Sequence, residues 1–193
     1  MESKDNKHIY RYATPYTLLF ALGCVGIMLV GPEVVFIFGG ASYMEAQYVI
    51  PPVCLGIMFQ FVYTLYANIE FYEKKTGWIS AATIVAAILN IILNFLFIPV
   101  FGYIAAAYTT AIGFGIMFIM HYLVVRLKTR HKNLYDLPKI LMIVCGVVVA
   151  MMIVLVLYKH ICIRYMVILM YLLILVVGAM KYKKQVLNIL KKR

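Results

Sequence analysis

Polar side chains set inside long apolar runs are the places where this sequence can do chemistry. Asn90 and Asn94 lie about one helical turn apart and share a face with Thr83, Ala86 and Ala87 at about 100° per residue. Gln60 and Thr64 repeat that spacing on a second run, between Gly56 and Ala67 and next to Tyr63. Ala106, Thr110, Gly113 and His121 do so on a third. An amide or hydroxyl in hydrocarbon needs a hydrogen-bond partner, and small residues let helices approach closely. Two readings stay open for these stripes: packing seams glued by side-chain hydrogen bonds, or the lining of a hydrated path. Glu33 is the one acidic residue that falls within an apolar run, and it follows Gly31-Pro32 near the run's outer end. It is either a boundary carboxylate or part of the path. His121, near the inner end of its run, reads as an interfacial histidine in preference to a proton relay.

Other chemistries find little support. There is no G-x-x-x-x-G-K-[ST] phosphate loop, no H-E-x-x-H and no G-x-S-x-G. Glu70 and Glu73 beside Lys74 and Lys75 read as an interfacial charge cluster, not an acid/base pair. His131 and Asp136 are thin grounds for a membrane acyltransferase. Cys24, Cys54, Cys145 and Cys162 are scattered without C-x-x-C spacing, so neither a metal site nor a disulfide is expected. The expectation is a protein without cofactor and without enzymatic activity.

The chain that carries these residues has 193 positions, 65% of them hydrophobic and 13% charged, with a mean hydropathy of +0.95. Soluble domains are about half apolar and about a quarter charged. Composition therefore excludes a soluble globular fold, a disordered chain and a disulfide scaffold. Six apolar stretches, 14–38, 49–68, 78–100, 103–125, 137–158 and 165–180, approach the ~20 residues that cross a bilayer core. Backbone polar groups must be satisfied inside lipid, which leaves helices as the spans. The reading is an all-α integral membrane protein. An N-terminal segment 1–13 precedes a six-helix membrane domain 14–180, and a basic tail 181–193 follows it.

Local signals mark several helix ends. Thr14-Pro15 predicts a capped first turn, and Pro138 predicts another after the polar linker 128–136. Pro99 near Gly102 closes the third span, and Pro32 predicts a kink or break near Gly31. With the N-terminus inside, all but two of the 18 Lys and Arg residues, Lys159 and Arg164, fall on the cytoplasmic side. Both termini are then cytoplasmic. Val186, Leu187 and Leu190 are spaced for a helix lying on the anionic inner leaflet; a solvated basic end is the other reading. The net charge of +11 is dispersed between apolar runs, so it implies lipid contact and no nucleic acid.

The stretch Glu70–Thr76 and then Asn90–Thr110 resembles bacterial oligosaccharide flippases. These are the polysaccharide biosynthesis proteins of the multidrug/oligosaccharidyl-lipid/polysaccharide exporter superfamily. The pattern runs N-x-x-L-N, four apolar residues, P-x-x-G and a pair of alanines, from Asn90 to Ala106. Gly31-Pro32-Glu33 through Tyr43-Met44-Glu45-Ala46 resembles the family's seventh helix and the loop after it, and Ile163-Arg164-Tyr165 the start of its last. The resemblance covers nearly the whole chain but only the second half of the family's twelve helices. It implies one six-helix bundle of a two-bundle carrier that moves undecaprenyl-diphosphate-linked repeat units of O-antigen or capsule across the bacterial cytoplasmic membrane. Membrane lipids and a second six-helix bundle, as a separate chain or a homodimer, are the partners it implies. A multidrug/cation antiporter of the same superfamily and a non-transporting assembly subunit are the alternatives. Glu33, Gln60, Thr64, Asn90, Asn94 and Thr110 are the candidate path residues.

Overall fold

A computed structural model describes the backbone of residues 2–132 and 134–190, with side chains for 12–132 and 134–181. Its elements are α1 (Glu2–Leu29), α2 (Gly31–Gly39), a 3-10 segment (Ala41–Val49), α3 (Ile50–Tyr72), α4 (Thr76–Phe101), α5 (Ile104–Lys128), α6 (Leu137–Leu157) and α7 (Ile161–Leu190). No strand occurs among the described residues. Six helices there are long and apolar enough to cross a membrane, with the 3-10 segment running directly into α3. The chain is an all-α integral membrane protein.

The break in the first apolar run falls where proline chemistry puts it. Pro32 has no N–H to give the carbonyl of Met28, one turn earlier, so the helix ends at Leu29 and restarts at Gly31. The freed carbonyl is not left bare: the Tyr158 hydroxyl donates to it at 2.6 Å. A side chain at Gly31 would collide with that hydroxyl. At the other start of this run the expectation fails. Pro15 lies inside α1, which begins at Glu2, so Thr14 caps nothing. The polar residues upstream continue the helix, and a single proline is tolerated within it. Asp136 does cap α6, accepting the backbone N–H of Lys139 at 3.4 Å with Pro138 in the first turn. α4 carries through Pro99 to Phe101, and Gly102 turns the chain with φ of 70°. The side chains behind the leaflet-bound reading of the tail lie outside the described residues.

Packing is graded across the array. Met28, Met58, Val62 and Ile140 are fully buried where α1, α3 and α6 meet, and Phe118 and Val125 join α5 to the same core. In the apolar windows of α1, α3, α5 and α6, 33–39% of residues are buried, against 6% in α4 and in α7. Those two helices are therefore marginal: α4 leans on α5, and α7 only lightly on α1 and α6. Hydrocarbon cannot squeeze helices together as water does, so close contact requires small side chains or hydrogen bonds.

Candidate functional site

Two seams run along α5. Toward α3, Gly56 packs so closely that a Cβ there would stand 3.3 Å from the Ala111 Cα, and Gly115 faces the Phe59 ring. Toward α4, Gly113 meets the Asn90 amide. Asn94 Nδ2 donates to Asn90 Oδ1 at 3.0 Å, and the Thr109 hydroxyl is directed at Asn94 Oδ1 while also lying 3.0 Å from the Ala106 carbonyl. The two asparagines thus share one hydrogen bond within a half-buried α4–α5 seam, and Thr109 joins them. Thr110 is half-buried on α5.

α3 shows a different face. Gln60, Thr64 and Asn68 are all exposed, one turn apart, with Gln60 at the middle of the helix. The Thr64 hydroxyl is spent on the Gln60 carbonyl at 2.8 Å. Neither the Gln60 nor the Asn68 side-chain amide has a hydrogen-bond partner among the described residues. Leaving an amide in hydrocarbon costs about 4–8 kcal/mol on the water-to-cyclohexane scale. That face is built to meet water, a polar ligand or another polypeptide.

Near the loops 73–75 and 129–136 the structure overturns two sequence expectations. Glu33 is not the one acidic residue in a span: it lies in the short α2, outside the six helices of spanning length, whereas Glu70 lies within α3 and is completely buried. His121 does not reach the protein surface as a snorkelled side chain would; it too is completely buried, its Nδ1 2.8 Å from Glu70 Oε1 and its ring stacked on Tyr63. The apolar run 49–68 stops one turn short of the end of α3, which is why its length puts Glu70 in the loop. Glu73, just beyond, clamps the neighbouring loop, taking hydrogen bonds from His131 at 2.7 Å and from the Arg130 N–H at 2.9 Å. Burial pushes the Glu73 carboxyl up, but those bonds and the charges of His131 and Lys75 outweigh it and hold it below its ordinary range.

At the opposite end, Glu33 joins α2 to α7. Its Oε1 accepts from Arg164 Nη2 at 2.5 Å and from the Tyr165 hydroxyl at 2.7 Å, beside an open groove of about 460 Å³ lined also by Phe36, Met44 and Gln47. Arg164 is 3% exposed. With the Tyr171 hydroxyl on the Leu22 carbonyl, this is the polar fastening of a helix that packs little. Glu33→Leu is expected to loosen α7: a cysteine introduced on its inward face, in a background without native cysteines, should label several-fold faster with a membrane-permeant maleimide. The candidate path residues are therefore dispersed: Asn90 and Asn94 together, Gln60 and Thr64 on another surface, Glu33 apart from both. No group of three or more His, Cys, Asp or Glu that could hold a metal ion occurs among the described residues.

Fold and polar layout define a class first, an all-α multi-pass membrane protein whose unpaired amides stand on an exposed helix face. Over 108 residues, 56% of the chain, it is 29% identical to the Probable low-salt glycan biosynthesis flippase Agl15 of Haloferax volcanii. The match spans 23% of that protein, less than a quarter of its length. No family model and no solved structure matches the chain.

Proposed function

We propose that this chain forms one six-helix lobe of a flippase that carries lipid-linked oligosaccharide repeat units across the cytoplasmic membrane of a bacterium for surface polysaccharide synthesis. In this reading the lobe is residues 14–180, with segment 1–13 and the tail 181–193 both cytoplasmic. A second lobe comes from further helices of a longer polypeptide, a separate chain or a second copy. The observation that carries it is the exposed Gln60–Thr64–Asn68 stripe of α3, with two amides about 12 Å apart along a helix of spanning length and no partner among the described residues. Lipid cannot satisfy those groups; a glycan passing along them can, since sugar hydroxyls donate and accept in turn. The similarity to a glycan biosynthesis flippase and the motif from Asn90 to Ala106 support the same cargo.

The test is export of lipid-linked oligosaccharide in cells dependent on this protein, with membrane abundance measured alongside. Gln60→Leu with Asn68→Leu should reduce export by about tenfold or more, as expected for two lost hydrogen bonds of about 0.5–1.5 kcal/mol each, while abundance holds. Gln60→Asn should keep part of the activity. Unchanged export in the double leucine variant would remove α3 from the path and the proposal with it.

A further inference from the structure

Glu70 and His121 are the one ion pair that the described residues seal completely, each side chain at 0% exposure. We infer that they form an occluded proton site whose occupancy is tied to closure of the seam between α3 and α5. Oε1 of Glu70 and Nδ1 of His121 share a hydrogen bond, while Oε2 and Nε2 have no hydrogen-bond partner among the described residues. Relative to carboxylate plus neutral imidazole, one further proton makes the pair neutral overall. It does so either as carboxylate with imidazolium or as carboxylic acid with imidazole. Without that proton the pair carries a full negative charge, held by a single imidazole N–H where water is excluded. Burying an uncompensated charge costs far more than burying a neutral pair. Loss of the proton to water therefore favours an arrangement in which α3 and α5 part and hydrate Oε2 and Nε2. Closure takes a proton back from water.

Among the described residues no other charged side chain is hydrogen-bonded to the pair. The titratable groups flanking the pair on α3 and α5 are the phenols of Tyr63, Tyr66, Tyr72 and Tyr122, with Tyr63 stacked on His121 at 5.4 Å between centroids, and Lys128, which lies over the Trp78 ring. Lys74 and Lys75 follow α3, and Lys75 lies 4.0 Å from Glu73. Arg126 is turned to the Tyr122 hydroxyl, and Glu73 is occupied by His131 and the Arg130 N–H. From the 129–136 loop, the Tyr135 hydroxyl donates to the Leu65 carbonyl. α4 has no titratable side chain, and α6 brings Lys139, paired with Asp136, and Cys145. The described part of α1 brings Tyr12, Tyr16 and Cys24, and the 3-10 segment's Tyr43, Glu45 and Tyr48 precede the far end of α3. The arrangement is local to this seam and stands apart from the cargo assigned above.

Spin labels at Phe71→Cys and Leu127→Cys, exposed positions on α3 and α5 at this end, report the seam in the full chain in lipid nanodiscs after the native cysteines are replaced. One linked proton moves the open-to-closed ratio about tenfold per pH unit. The short-distance population of the otherwise wild-type chain should therefore fall as pH rises. Glu70→Gln, which keeps a hydrogen-bonding group but removes the carboxylate, should stay closed at the alkaline pH where the wild type opens. His121→Gln, in which Glu70 alone must take up the proton, should respond with a displaced midpoint. A wild-type distance distribution that is unchanged from about pH 5 to about pH 10 overturns the site, as does the same response in Glu70→Gln. Should Glu70→Gln not fold, an unchanged midpoint in His121→Gln overturns it equally.

Discussion

His121→Leu is expected to lower the stability of the folded chain by about 3–5 kcal/mol, the cost of removing one member of a buried ion pair. Glu70 then has no partner in a pocket that excludes water, and must be either charged and unpaired or protonated and unbonded. Thermal or denaturant unfolding of the purified protein in detergent reads the loss. The informative comparison is Glu70→Leu combined with His121→Leu, which removes both costs and leaves two apolar side chains at the α3–α5 contact. Replacing a buried pair by hydrophobic residues of similar volume is often neutral, so the double variant should recover most of the stability. A double variant as unstable as the single one would mean that the shape of the pair, and not its charge, holds the seam.

Gly56→Leu should be the most damaging uncharged substitution on α3. A Cβ at this position stands 3.3 Å from the Cα of Ala111 and 3.4 Å from the Phe114 ring before any further carbon is added. Backbone cannot rotate away as a side-chain tip can, so α5 must move outward along its whole contact with α3. Overpacking of this kind costs about 1–3 kcal/mol. Here it also separates Glu70 from His121, which the same seam brings together. Gly56→Ala should cost less, and Gly146→Leu almost nothing, because no atom lies within 4 Å of a Cβ at Gly146. Equal losses at Gly56 and Gly146 would show that α3 and α5 are not held at this distance.

Span existence and most span ends were legible before any coordinates because hydrocarbon thickness imposes a length and proline imposes a stop. The break at Gly31-Pro32 and the turn at Gly102 follow from backbone chemistry local to those residues. α3 was harder. Measured from Gly56 at about 100° per residue, Ala67 lies about 20° away, Gln60 about 40° and Thr64 about 80° on the same side, and Glu70 about 40° on the other. One stripe was read where there are two: Gly56, Ala67 and Glu70 are buried against neighbours, and Gln60 and Thr64 are exposed. Extending α3 by one turn would have put Glu70 on the Gly56 side and identified it as a buried acid. Its partner, 51 residues away on α5, stands out as a histidine in an apolar run, but nothing in the order of residues links the two.

Amino-acid order alone determined that this is a helical membrane protein with six apolar stretches of about spanning length, because a run of about 20 apolar residues satisfies its backbone in lipid as a helix. It also determined which residues are polar within the spans. Tertiary structure decided which of those polar groups pair off. Asn94 bonds to Asn90 beside Thr109, Glu70 finds His121, Glu33 fastens α7 through Arg164, and the amides of Gln60 and Asn68 remain turned outward. The reason is that a hydrogen bond between helices depends on their rotation and separation, set by contacts such as Gly56 on Ala111 between residues far apart in the chain.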